Sequence, residues 1–109
     1  MPYDKGVAER VREILWDSKG LAEKEMFSGI CFLLYGNMAC GVLKDTLIIR
    51  VGPANYETAL NRPHTRKFDF TGRSMKGWVV VTPEGYESDN DLLAWVTEGK
   101  SLALSLPAK

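Results

Sequence analysis

Histidine occurs once in this chain, cysteine twice, and no apolar run approaches the length of a membrane span. Each shortage removes a class of function. The single histidine, His64, stands in Arg62-Pro63-His64-Thr65-Arg66, so a nucleophile–histidine–acid triad has only this one residue to build on. It reads as a loop residue. Two cysteines and one histidine fall short of the four ligands usual in a structural zinc site, so no metal is expected, and no motif calls for another cofactor. Nothing reaches about 18 consecutive apolar residues, and the N-terminus MPYDKGVAERVREILWDSKG is charged every few positions where a signal peptide needs an apolar block. A cytoplasmic protein without membrane contact is the expectation.

Charge of one sign is also lacking, since 14 basic residues stand against 14 acidic ones. That balance excludes a surface that is wholly a nucleic-acid or membrane footprint, and any electrostatic site must be local. The acids Glu84, Glu87, Asp89, Asp91 and Glu98 gather around the start of a helix, where they favour its dipole, and do not form an isolated catalytic pair. The string Gly72-Arg73-Ser74-Met75-Lys76-Gly77 is neither a Walker loop, whose lysine is followed by Ser or Thr at a helix start, nor a dinucleotide turn. No reaction is named by these residues, which favours a non-enzymatic protein.

What is present is enough for one domain, expected over residues 1–109. A chain of this size buries roughly 65% of its unfolded surface on folding. Asp4 is placed to cap a helix from Lys5 to Ser18, with Val7, Val11, Ile14 and Leu15 on one stripe and Gly20 beyond its end. Trp16 lies off that stripe and has two readings, a ring flat under a loop or a contact with another chain. From Leu21 to Val51, breaks at Ser28-Gly29, Gly36-Asn37 and Lys44-Asp45 separate runs that read as a four-stranded antiparallel meander: Glu23–Phe27, Ile30–Tyr35, Met38–Leu43 and Thr46–Val51. A short helix opens at Gly52-Pro53 and stops before Pro63, Trp78–Val81 forms a last strand, and Ser88-Asp89-Asn90-Asp91 starts a C-terminal helix through Leu106. The order is α-β-β-β-β-α-β-α, a two-layer α+β fold with a mainly antiparallel sheet and helices on one face.

The Gly36-Asn37 turn sets the expected faces. With that two-residue loop, Cys31 stands opposite Val42 and Cys40 opposite Leu33, so the thiols share a face on a diagonal of about 7 Å against the roughly 4 Å a disulfide needs. Both are expected free. Cys31, Leu33, Tyr35, Met38, Cys40, Val42, Leu47, Ile49 and Val51 then form the core face. The other face takes Ile30, Phe32, Leu34, Ala39, Gly41, Leu43, Thr46, Ile48 and Arg50, too apolar for an ordinary solvated surface. A homodimer over Ile30, Phe32, Leu34 and Ile48, or through Trp16, would cover it.

One local patch stands out. Arg62, Arg66, Lys67, Arg73 and Lys76 outnumber Asp69 while Phe68, Phe70 and Trp78 interleave with them. Gly72 and Gly77 are expected to bracket a surface turn, with Arg73 and Lys76 pointing outward and Met75 at the core edge or on a partner. Three readings stay open: a solvated rim around core aromatics, a surface for an acidic protein partner, or a nucleic-acid site. Direct nucleic-acid binding is the weakest of them, since no fold-specific reader accompanies the patch.

Several strings resemble the N-terminal domain family of TfoX (Sxy), a bacterial regulator of natural competence. They are Glu25-Met26-Phe27-Ser28-Gly29, Arg50-Val51-Gly52-Pro53, the segment Phe70-Thr71-Gly72-Arg73-Ser74-Met75-Lys76-Gly77-Trp78-Val79, and Leu92-Leu93-Ala94-Trp95-Val96. Ser28 and Ser74 depart from the family's usual glycine and proline. The resemblance implies a fold similar to the secretion-chaperone-like α+β class and a regulatory role in transcription through protein contacts. Full-length competence regulators carry a second, helical domain and act at promoters with the cyclic-AMP receptor protein; this sequence ends at Lys109, as a stand-alone copy would. Binding candidates are therefore Arg50, Arg62, Arg66, Lys67, Arg73, Met75, Lys76 and Trp78. The alternative is a small-molecule-binding protein or enzyme with a pocket near Arg50 and Arg73.

Overall fold

Asp4 starts the first helix as its sequence position suggests. Its carboxylate accepts from the N–H groups of Gly6 (2.8 Å) and Val7 (3.2 Å), and α1 runs Lys5–Leu15 with Val7, Ala8, Val11 and Leu15 buried. In the computed structural model the described residues are 3–26, 29–70 and 73–108, and at 26, 70, 73 and 74 only the backbone is described.

The sheet has six strands: β1 (Leu21–Met26), β2 (Gly29–Leu34), β3 (Asn37–Leu43), β4 (Thr46–Arg50), β5 (Thr65–Phe70) and β6 (Arg73–Val81). All neighbouring pairs are antiparallel, in the order β1-β2-β3-β4-β6-β5. Between β4 and β5 a 3₁₀ turn at Pro53–Asn55 leads into α2 (Tyr56–Leu60). After β6 come α3 (Pro83–Tyr86) and α4 (Asp89–Ser105), the latter capped by Ser88, whose hydroxyl accepts from Asp91 N–H at 3.1 Å. The two-layer α+β architecture matches the sequence expectation, with β5 and α3 added.

Strand β5 went unread because its charged alternation, Thr-Arg-Lys-Phe-Asp-Phe, is that of a polar sheet edge and lacks an apolar run. Strand β6 is longer than expected for a related reason. Gly77 does not end it: at φ 94° this glycine forms a bulge, and its carbonyl accepts from both Val51 N–H (2.8 Å) and Gly52 N–H (3.0 Å). Arg73, Met75 and Lys76 thus lie on a strand, and no surface turn runs between Gly72 and Gly77; Gly72 itself lies outside the described residues.

The β2–β3 hairpin corrects the expected faces. Its turn is Tyr35-Gly36, both left-handed at φ 51° and 84°, so Asn37 belongs to β3 and pairs with Leu34. Beyond Leu33↔Met38 the register shifts, leaving Ala39 as an extra residue before Phe32↔Cys40 and Cys31↔Gly41. A one-residue shift turns a strand over. Ile30, Phe32 and Leu34 therefore face the helices, while Cys31, Leu33 and Met38 face away; Cys40, Val42, Leu47, Ile49 and Val51 sit in the core as expected. The thiols are free and lie on opposite faces of the sheet, which separates them more firmly than the expected diagonal.

All four helices lie on the face of Phe32, Cys40, Ile49 and Val79. Helix α4 comes down on it through Gly99, where an added Cβ would stand 2.4 Å from the Ala39 carbonyl oxygen. Glycine here is the condition for helix–sheet contact.

Candidate functional site

The pairing register places one row of residues across all six strands: Lys24, Cys31, Gly41, Ile48, Val80 and Arg66. This row lies on the face without helices. It is apolar in the middle and cationic at both ends, and at Gly41 it has no side chain at all. A hollow of about 260 Å³ lies on this middle part, lined by Gly29, Ile30, Cys31, Met38, Gly41, Val42, Leu43, Ile48, Phe68, Met75 and Trp78. The β5–β6 hairpin supplies its wall. Phe68 and Trp78 pack against each other with ring centroids 6.5 Å apart and planes tilted by 50°, and Met75 beside them is 38% exposed.

Arg50 closes the rim, its guanidinium 5.1 Å from the Trp78 ring centroid, a cation–π contact held by the Arg50↔Trp78 pairing of β4 with β6. Next to the hollow a second cleft shares Leu43, Ile48 and Phe68 with it and carries Lys44, Arg66 and Lys67 against Asp45 and Asp69. Lys76 is exposed on β6 beyond Met75. Among the described residues Arg50, Arg66, Lys67 and Lys76 make no ion pair.

The cations on the helix side differ. Arg62 reaches Glu98 on α4 at 2.7 Å and lies 3.5 Å from the Trp95 ring centroid, so this binding candidate is a structural clamp. Arg10 pairs with Asp89, and Arg12 takes Glu23 of β1 in a two-point contact of 2.7 and 2.8 Å besides Glu9. Arg12 holds the Glu23 carboxyl below its ordinary range. Met75 and Trp78 line the hollow, Arg50 lies over the Trp78 ring, and Arg66 and Lys67 line the adjoining cleft, whereas Lys76 lines neither. The Arg73 side chain lies outside the described residues.

Of the residues expected to form a dimer, Ile30, Phe32 and Leu34 are sealed under the helices and have no surface to offer. Ile48 remains on the open face. Trp16, at the end of α1, is 76% exposed beside Glu9, Arg12 and Glu13, so no loop lies over it. Gly41, Cys31, Met38, Leu43 and Phe68 are the site residues that sequence reasoning missed. A glycine inside an apolar strand was the available signal, since such a glycine often marks a place where something approaches the backbone.

Chemically the hollow can hold but has little with which to react. Burial pushes the Cys31 thiol up, so thiolate is scarce there. His64 is at a left-handed corner (φ 60°) where its carbonyl accepts from the Thr82 N–H and hydroxyl, away from the lining. Among the described residues no three His, Cys, Asp or Glu stand together as metal ligands would, and no helix is long and apolar enough to cross a membrane.

The sequence model of the TfoX N-terminal domain matches residues 13–103, from the last turn of α1 to the last turn of α4. This chain belongs to that family. Among curated proteins, no sequence matches it. In this TfoX N-terminal domain the motif residues divide between the two faces: Trp95 and Val96 are core, Gly52 and Gly77 shape the bulge, and Arg50, Met75 and Trp78 lie on the open side.

Proposed function

We propose that this TfoX N-terminal domain is a cytoplasmic, non-enzymatic interaction module that contributes to transcriptional regulation by protein contact, and that the open sheet face is its contact surface. One observation carries the reading: a largely apolar sheet face bearing a hollow, with no helix over it among the described residues and with cations at its rim that make no ion pair among them. Exposed apolar patches rimmed by polar residues mark interaction sites. The regulatory role comes from the family, and the surface from the geometry. A small-molecule site confined to the hollow fits less well, because about 260 Å³ falls below the roughly 300–1,000 Å³ of ordinary ligand pockets, although the adjoining cleft, at about 700 Å³, falls within that range.

The test is site-resolved crosslinking in the native cell. A photo-crosslinking residue replaces Met75 on the open face or, as control, Leu93 on the outer side of α4. Capture of polymerase or of a promoter-bound regulator from position 75 and not from 93 is the expected result. No capture from 75, or the same proteins from both, overturns the reading.

A further inference from the structure

The charge pattern around the hollow, taken with its size, narrows what can lie there. On the helix side Arg10, Arg12 and Arg62 each have a carboxylate within 3.2 Å. Around the open face Arg50, Arg66 and Lys67 have none among the described residues, although Asp45 and Asp69 stand in the adjoining cleft. The centre between these cations is apolar, and its volume suits one large side chain better than a whole ligand. An occupant must therefore be apolar at one point and anionic around it.

We infer that the open face receives an extended acidic segment of a partner protein, with one bulky apolar side chain in the hollow over Gly41 and carboxylates on Arg50, Arg66 and Lys67. This rests on the reading of the face as a protein-contact surface and specifies the partner's chemistry. A second copy of the chain fits worse, since stacking two such faces brings Lys24, Arg50 and Arg66 against the same cations. Like charges across a contact oppose binding. Single-stranded nucleic acid also fits worse. It binds by stacking bases on aromatic faces, and here Phe68 and Trp78 pack on each other while Arg50 lies over the Trp78 ring.

The probe is a nine-residue synthetic peptide with two Asp and two Glu flanking a central Trp, titrated into the full chain and followed by amide and indole resonances. Saturable shifts confined to Gly41, Ile48, Met75 and Trp78, with half-saturation below about 1 mM, are expected. Replacing the peptide's Trp by Ala should weaken binding about tenfold, as loss of an aromatic anchor does. The protein variant Arg66→Glu/Lys67→Glu, checked for an unchanged dispersed spectrum, should weaken it about as much, and added salt should weaken it further. Equal binding of a peptide with Lys in place of its acids overturns the inference. So does tighter binding of an oligothymidylate at the same resonances, or a change in those resonances with protein concentration alone, the mark of self-association. If no peptide shifts the open face while position 75 still crosslinks to the transcription machinery, only the acidic chemistry falls. If both fail, the contact surface falls with it.

Discussion

The two faces of this sheet are built from the same alternation and end in opposite states. Toward the helices, Phe32, Cys40, Ile49 and Val79 are sealed by α1 and α4. On the other side Cys31, Ile48 and Val80 are screened by their own neighbours, while Leu33, Met38, Phe68 and Trp78 are half-buried. A glycine lies behind the first state: Gly99 lets α4 settle onto the Ala39 carbonyl, whereas at Gly41 on the other side the Met38 side chain and the Ile30 carbonyl already crowd the place of a Cβ and no helix is seated there among the described residues. Apolar composition alone therefore does not say which side of a strand is core. What differs is whether a helix can come close enough to exclude water.

The contrast breaks most visibly at Phe32. Phe32→Ala removes a fully buried ring and should cost about 3–5 kcal/mol in a urea titration. A loss under about 1 kcal/mol would place β2 the other way up. Gly99→Ala comes next, at about 2–4 kcal/mol, because its methyl meets backbone that cannot rotate aside, and the gain in helix propensity of about 1 kcal/mol does not offset this. Stability unchanged in that variant would mean that α4 does not press on β3.

The thiols sharpen the comparison through pH. Burial pushes Cys40 up to about 12, with the neighbouring Cys31 adding to the shift. The unfolded thiol ionises near its ordinary 9.0 and the folded one does not, so stability is fully present below about pH 9 and declines as pH rises from there toward 12. The slope for one such group is about 1.4 kcal/mol per pH unit. Cys31 and Tyr86, both raised chiefly by burial, act in the same direction. Denaturation of Cys40→Ala between pH 8 and 10.5 should give a shallower decline than the parent; an identical slope would contradict the burial of Cys40. A thiol reagent at pH 8 should label Cys31, beside the hollow, before Cys40, and equal rates would erase the difference between the faces.

Smaller effects are expected at the surface. The Arg12–Glu23 contact is about one-third exposed on both sides, so Glu23→Gln should cost no more than about 1 kcal/mol. Because Arg12 lowers the Glu23 pKa, this contribution is present at neutral pH and is lost as the carboxylate protonates below its usual range. Met75→Ala on the open face should stay within about 0.5 kcal/mol. A larger loss would make Met75 part of the core and remove it from any contact surface.

Much of the scaffold was legible. Asp4 and Ser88 cap helices where their spacing suggested, Pro53 opens the connector after β4, and Gly77 takes the positive φ expected of it, though inside a strand. The site was legible only in outline. Met75 and Trp78 do line one hollow with Arg50 over the Trp78 ring, and Gly41 lies on the expected side of β3, yet a turn one residue out of place puts Cys31 on the wrong side, and Arg62 does not join the other cations. Capping and hydrophobic period act within a few residues, so they can be read from a string. Tyr35-Gly36 and Gly36-Asn37 are both acceptable as strings for a tight turn.

By itself the sequence determined the family, the α+β class, the four strands of the meander and the start of both long helices, because each depends on contacts between near neighbours in the chain. Tertiary structure decided which side of β2 is core, since burying Ile30, Phe32 and Leu34 under α1 and α4 selects the Tyr35-Gly36 turn and the bulge at Ala39. It also decided which cations are free. Arg62 finds Glu98 and Trp95 only when α4 folds across the sheet, and Arg50 is left over Trp78 because β6 inserts between β4 and β5. Those partners lie far apart in sequence, and only the closed fold brings them within the few ångströms over which charge and packing act.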